Sequence, residues 1–351
     1  MKILAISKRR LSRQAIWWVG FSLLSLTFII TSAQGAFAIS PRQLGHIIVA
    51  GLTGQLDQSS EYLVFMNIRL PRLLLGVIAG SGLGMAGALM QGMFRNPLAD
   101  PGLIGVSSGA ALAAGMTIVL GVVFFPEIPR KLGSWTLVLM AFSGGLLVTS
   151  LIYALAQSSG GTHVGIMLLA GIAINSLAGA GLGLLNYIAS DEQLRSIQFW
   201  LLGSLGGARW SAVLLVGTIT LAAISLSLML TKPLNAIALG EAQATMLGVN
   251  VERVKRLCIL YTAMAVGGVT ATTGIIGFIG LIAPHCIRLV AGPDHRAVLP
   301  GSAILGAILV LVADAIARTA FAPAELPLGV LTAFIGVPFF LLLLRSSKVK
   351  V

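Results

Sequence analysis

Along the chain, charged residues gather in short clusters between long runs that carry no charge. Residues 14–41 form one such run of 28, and further charge-free intervals cover 73–94, 101–126, 132–190, 210–231 and 257–287, with shorter apolar runs around 297–318 and 326–344. A helix needs about 20 apolar residues to cross a bilayer, so every run predicts at least one span. The 132–190 interval holds two and breaks at Ser158-Ser159-Gly160-Gly161-Thr162, a cluster with loop composition. The 257–287 interval also holds two if the first helix begins near Val251, with Arg253, Lys255 and Arg256 at its membrane edge. That helix turns near Thr273-Gly274, and the second ends near Val290. The pattern therefore predicts ten spans in one bundle over residues 1–351, an all-α integral membrane protein.

The first run has the basic start of a secretion signal (Lys8, Arg9, Arg10, Arg13) and ends in Ala36-Phe37-Ala38, which resembles a cleavage site. Its uncharged length exceeds the roughly 7–15 apolar residues of a signal peptide, so it is expected to stay as a membrane helix. Three polar stretches are longer than a turn. Residues 39–68 and the amphipathic 189–209 fall on the outer side of the predicted bundle, and 232–250 on the inner side. The inner stretch has helix-forming composition but is too polar to span, which predicts a short surface helix able to dock a partner.

Composition sharpens this picture. The 351 residues are 57% hydrophobic and only 10% charged, with mean hydropathy +0.97. Soluble domains carry about a quarter charged residues, so a soluble globule is excluded. The net charge of +12 would suggest nucleic acid in a soluble protein. Here the basic residues flank apolar runs, where they orient spans, and no nucleic-acid partner is indicated. With the N-terminus inside, 15 of the 23 Lys and Arg fall on the inner side and 8 (Arg42, Arg69, Arg72, Arg130, Lys131, Arg195, Arg209 and Arg318) outside, which places both termini in the cytoplasm. Trp17, Trp18, Trp135, Trp200 and Trp210 lie near span ends, where amphipathic rings favour the interface. Cys258 and Cys286 lack metal or disulfide spacing and read as packing residues.

Gly82-Leu83-Gly84-Met85-Ala86-Gly87 matches the dinucleotide fingerprint G-x-G-x-x-G, but it falls inside a span rather than between a strand and a helix. Gly80, Gly84 and Gly87 instead predict a face of small residues for close helix packing. Gly105-Val106-Ser107-Ser108-Gly109 matches the serine-hydrolase pattern G-x-S-x-G, which would need a facing histidine such as His163 or His285. In a chain this rich in Gly and Ser the match carries little weight. No H-E-x-x-H and no G-x-x-x-x-G-K-[ST] occurs in the chain, so metalloprotease and ATPase chemistry have no motif here. Asp314, four residues before Arg318, is the one carboxylate at span depth, either a local ion pair or a substrate or proton site. So few intramembrane carboxylates weigh against an ion-coupled carrier.

Two long stretches carry a resemblance. Arg69-Leu70-Pro71-Arg72-Leu73, continuing through Gly87-Ala88-Leu89-Met90-Gln91 to Arg95-Asn96-Pro97-Leu98-Ala99-Asp100-Pro101-Gly102-Leu103-Ile104-Gly105, resembles the signature of the FecCD-type permeases. These are membrane subunits of ABC importers for iron-siderophores, vitamin B12 and haem. Gly277-Phe278-Ile279-Gly280-Leu281-Ile282-Ala283-Pro284-His285, Asp294-His295-Arg296 and Glu325-Leu326-Pro327-Leu328-Gly329-Val330 resemble the family's C-terminal half. Asp191-Glu192-Gln193-Leu194-Arg195 with Phe199-Trp200 looks most like the haem permeases within the family.

The resemblance implies a homodimer of ten-helix, vitamin B12 permease-like bundles in the bacterial inner membrane. Its partners would be two cytoplasmic ATPase subunits that use the ATP, and a periplasmic haem-binding protein. The chain itself would be a transport subunit rather than an enzyme, with no permanent cofactor and haem as cargo; siderophore or vitamin B12 transport are the alternatives. Residues 232–250 would be the coupling segment, with Glu241 as a polar contact and Leu247, Gly248 and Val249 as a packing edge. Residues 189–209 would form a helix beside the outer gate. Arg69, Arg72 and Arg318 match the family positions that dock acidic residues of the binding protein, while Arg195 and Arg209 stand near the mouth, where they suit haem propionates. His46, His163, His285 and His295 are not assigned as metal ligands.

Overall fold

The computed structural model describes residues 12–35, 40–53, 59–124, 127–158, 161–321 and 324–348. Lys2, Lys8, Arg9, Arg10, the Ala36-Phe37-Ala38 sequence, Ser159, Gly160 and Lys350 lie outside the described residues. Helix α1 (Arg13–Ala33) starts at Ser12, whose Oγ accepts the Ala15 amide at 3.2 Å. The stretch 39–68, expected only as a polar connection, contains α2 (Pro41–Thr53) and the start of α3 (Ser60–Met93, with a π-helical turn at Phe65–Arg69). Leu44 and Ile47 are one turn apart on α2 and pack on Phe65, a narrow stripe that charge-free runs do not reveal.

The 101–126 interval is not one continuous helix. A 3-10 turn at Pro101–Ile104, capped by Asp100 through the Gly102 amide at 2.7 Å, precedes α4 (Val106–Val119). α5 (Trp135–Leu155) and α6 (Val164–Ile188) are joined at the expected break by the antiparallel strands β1 (Gln157–Ser158) and β2 (Gly161–Thr162). α7 (Asp191–Leu202) begins with a capping box between Ser190 and Gln193, which anchors the amphipathic helix expected there. α8 (Trp210–Ser227) continues through a 3-10 turn into α9 (Thr231–Ala238), followed by α10 (Glu241–Met246). The single surface helix expected over 232–250 is thus two short helices.

α11 (Val251–Thr273) and α12 (Ile279–Ala291) keep the predicted boundaries, and α13 (His295–Thr319) and α14 (Leu328–Lys348) complete the chain. Among the described residues, seven helices are long and apolar enough to cross a membrane: α1, α3, α5, α6, α8 with α9, α11 and α13. α4, α12 and the Leu328–Leu342 part of α14 are shorter apolar helices. Between α11 and α12, Phe278 takes a left-handed φ of 66°, and its ring seats against Gly336 of α14. A bulky residue holds such a φ only where its surroundings fix it.

α3 is the central helix and packs on α13, α11, α12 and α8. The small-residue face predicted for it is the contact surface. A Cβ placed at Gly80 would strike the Gly306 carbonyl, one at Gly84 the Ser302 carbonyl, and one at Gly87 the Gly280 carbonyl. α1 lies along α13, with Gly20 against Ile304, so the first apolar run is an integral part of the packed bundle.

Gly84→Val is expected to prevent correct packing of α3 on α13, because backbone rather than a yielding side chain blocks the new methyls. Ordinary overpacking already costs about 1–3 kcal/mol. Gly183→Val meets nothing within 4 Å and should be neutral. Thermal denaturation of the two purified variants in detergent checks the contrast, and equal melting temperatures would contradict it.

Candidate functional site

Polar side chains concentrate at the two ends of the bundle. At one end, Asp314 of α13 is 1% exposed and lies between two arginines. Its Oδ2 is 2.9 Å from Arg318 Nε, the i,i+4 pair expected from sequence, and its Oδ1 is 2.9 Å from Arg72 Nη2. Arg72 also forks onto Glu325, with Nη1 donating to Oε1 and Nη2 to Oε2, both at 2.9 Å. This bidentate arrangement is the geometry guanidinium favours. Arg69 Nη1 donates to the Ser32 carbonyl at 2.8 Å, and Arg318 Nη1 to the Gln34 carbonyl at 3.0 Å. The last carbonyls of α1 have no intrahelical donors, and the helix dipole is negative there, so two arginines satisfy both needs.

Arg69, Arg72 and Arg318, expected to dock acidic residues of a binding protein, lie here within the chain's own polar cluster. All three are buried, at 5%, 8% and 7% exposure, because they tie α1, α3, α13 and the loop before α14 together. Glu325, which sequence reasoning quoted in a motif without assigning it, is the half-exposed member of the cluster. The Arg72 hydrogen bonds hold its carboxyl below the ordinary glutamate value of 4.5, outweighing its partial burial. Beside this cluster, Gly206 lies in the loop after α7, next to Glu325 and Arg72. Arg195 on α7 and Arg209 before α8 are both exposed.

At the opposite end, α9 and α10 lie against the first turns of α13 and α11. Asn235 Nδ2 donates to Asp294 Oδ1 at 2.7 Å, and Asn235 Oδ1 accepts the His295 amide at 2.9 Å. His295 Nδ1 lies 2.8 Å from the same Asn235 oxygen, so this buried histidine serves packing between α9 and α13. Glu241 opens α10, and its Oε2 accepts from Lys255 Nζ at 2.7 Å within the chain. A recess of about 630 Å³ opens here between β2, α10 and α11, lined by Thr162, His163, Glu241, Gly248 and Glu252 among others.

Gly248 ends α10 in a Schellman turn. Its own amide donates to the Thr245 carbonyl at 2.9 Å, the Val249 amide to the Ala244 carbonyl at 3.0 Å, and its φ is +79°. Leu247 and Met246 are largely exposed, whereas Val249 packs onto the core. Elsewhere, Ser108 of the G-x-S-x-G match bonds Asn175 and the Gly105 carbonyl, and among the described residues no hydrogen bond from it to a histidine occurs.

Comparison with known proteins agrees with this architecture. The FecCD transport family matches residues 23–346. The hemin transport system permease protein HmuU of Yersinia pestis is 43% identical over 332 residues, 94% of this chain and 96% of that protein. The cobalamin import system permease protein BtuC of Halobacterium salinarum is 40% identical over 284 residues, 81% of this chain and 74% of the relative. A solved metal-chelate type ABC transporter in an inward-facing conformation superposes with a TM-score of 0.82 at 31% identity, covering 94% of this chain and 99% of the other. The chain belongs to the FecCD transport family and is a multi-span permease of an ABC importer.

Removing Asp314 leaves Arg72 and Arg318 facing each other without the carboxylate between them. Asp314→Ala is expected to destabilise the protein by about 3–5 kcal/mol, the range for breaking a buried ion pair. Glu325 has a depressed folded-state pKa, so its tie to Arg72 is complete above the ordinary glutamate value and is lost as pH falls through the folded value. The melting temperature of Glu325→Gln should therefore lie below wild type at neutral pH and converge with it in acid; a gap independent of pH would contradict the assignment.

Proposed function

We propose that the chain carries haem across the bacterial inner membrane as one of two copies of a ten-span permease. A pair of cytoplasmic subunits hydrolyses ATP, and a periplasmic binding protein delivers the haem. The observation that carries the substrate is the 43% identity, spanning 96% of the relative, to a hemin permease. The Asp191–Arg195 sequence with Phe199 and Trp200 on α7 supports it. Seven long apolar helices and three shorter ones support the count of ten. The Lys and Arg bias supports cytoplasmic termini, with the arginine cluster on the periplasmic side.

Haem is a flat, largely apolar ring with two propionates. Spans rich in Gly, Ala, Leu and Met, with scarcely a carboxylate, offer it a path without fixed negative charge, and Arg195 and Arg209 attract the propionates at the mouth. No axial ligand is invoked, because a pathway must release its cargo as readily as it admits it. A second reading, cobalamin, is favoured by the 40% identity to a cobalamin permease; ferric siderophores would suit the same apolar path. α9, α10 and the turn Leu247-Gly248-Val249 form the coupling surface for the ATPase. Docking of an acidic partner at Arg72 proceeds by exchange of the partner's carboxylate for Glu325.

Vesicles holding the permease and its ATPase should take up haem when given the haem-loaded binding protein and ATP. Uptake of cobalamin or a ferric siderophore but not haem would overturn the substrate. Gly248→Trp, which burdens a left-handed position and the contact surface together, should leave the protein in the membrane while ATP hydrolysis no longer drives uptake. Glu325→Gln frees the Arg72 fork and should raise affinity for the binding protein, most at low salt. A titration showing no change would remove Arg72 from docking.

A further inference from the structure

Lys255 is 4% exposed, and its ammonium is held at two points. Nζ donates to Glu241 Oε2 at 2.7 Å and to the Thr162 carbonyl at 3.0 Å. Three residues earlier on α11, Glu252 takes the other polar groups of Thr162: its Oε2 accepts the amide at 2.8 Å, and its Oε1 accepts the hydroxyl. The same Oε1 accepts the Tyr153 hydroxyl from the end of α5 at 3.0 Å. The first turns of α11 thus gather α10, β2 and α5 onto one helix. A buried ammonium cannot slip between partners at little cost, because leaving one unpaired exposes an uncompensated charge to a poorly hydrated site.

α11 is 23 residues long and unbroken, a rod of about 34 Å. At its far end the Thr273 carbonyl accepts the Ser204 amide at 2.7 Å, and the adjoining Gly203 carbonyl accepts the Leu328 amide at the start of α14 at 2.9 Å. Ser204 and Gly203 follow α7 directly, and Gly206 in the same loop lies beside the Arg72–Glu325 pair. One straight element therefore has polar attachments to the coupling surface at one end and to the α7 loop at the other.

We propose that Lys255 is a positioning residue for energy coupling: it fixes α10 to α11, so that displacement of α10 moves α11 as a rod and is delivered to α7 at the opposite end. This rests on the reading of α9–α10 as the ATPase-facing surface. The test uses the permease assembled with its ATPase subunits and a spin label at Phe199→Cys, an exposed position on α7. Addition of a non-hydrolysable ATP analogue should change the label's spectrum, and Lys255→Met should cut that response roughly twofold or more. Glu241→Gln breaks the same tie from its half-exposed end and should act alike, which covers the case in which the lysine variant does not fold. A merely structural role would lower stability without altering the nucleotide response of the folded, assembled fraction. Met246→Cys, exposed on α10, separates the two claims. If it does not cross-link to the ATPase, the coupling reading falls and this proposal with it. If it cross-links and the label responds fully in both variants, or not at all in the parent, the proposal alone is overturned.

Discussion

In a bilayer nothing like the hydrophobic effect draws one apolar helix to another, so a bundle depends on how closely its backbones can approach. In this chain that constraint is met along one face of α3. Gly80 and Gly84 let α13 come to backbone contact, and Gly87 does the same for α12. Once those approaches are fixed, the ends of α3 are fixed too. Arg69 and Arg72 enter the polar cluster at one end. Near the other, Gln91 accepts a hydrogen bond from Arg288 and reaches the Gly280 and Leu281 carbonyls at 3.4 Å, holding α12 in place.

The arginine cluster follows from the same logic. The exposed carbonyls at the end of α1 and the carboxylate of Asp314 must be satisfied where little water reaches, and guanidinium groups can do both at once. Three of the eight basic residues that count against the positive-inside pattern are therefore there for internal pairing, and only five remain as outward charges. For the orientation proposed above, and with the buried, internally paired Lys255 set aside from the inner set in the same way, the bias is still stronger than a bare count of Lys and Arg indicates.

What could be read in the sequence was set by distance along the chain. Charge-free runs located the long helices, and the boundaries at Val251 and Thr273 followed because α11 had to fit between a basic cluster and a glycine turn. The Asp314–Arg318 pair was legible because helical geometry alone brings i and i+4 together. Arg72 and Glu325 were not, since 253 positions separate them and only the packing of α3 against α13 brings them together. The amphipathic α2 does not stand out in the sequence because it is short and, among the described side chains, Leu44 and Ile47 carry its contact with Phe65. Lys255, flanked by Arg253 and Arg256, reads in the sequence as an interfacial charge. Its burial depends on Thr162, on a hairpin whose partner strand no local pattern announces.

The two ends of the molecule are held by different forces, and the difference bears on which can move. α3 and α13 meet through carbonyls and glycines, a contact with no alternative register short of separating the helices. α9 and α10 seat Leu234, Ile237 and Ala244 in the core, and directional polar bonds add to that packing, Asn235 to Asp294 and His295, and Glu241 to Lys255. The neutral Asn235–His295 bond can be exchanged for others of similar strength, whereas the buried Lys255 ammonium keeps α10 on α11. Leu239, Met246 and Leu247 meanwhile stand 65–88% exposed on this polar segment, apolar area that a docked surface would cover. On the coupling proposed above, a permease needs a rigid spine and a surface that passes displacement on to it, and in this chain steric contact of α3 with α13 supplies the first while the tie of α10 to α11 through Lys255 supplies the second.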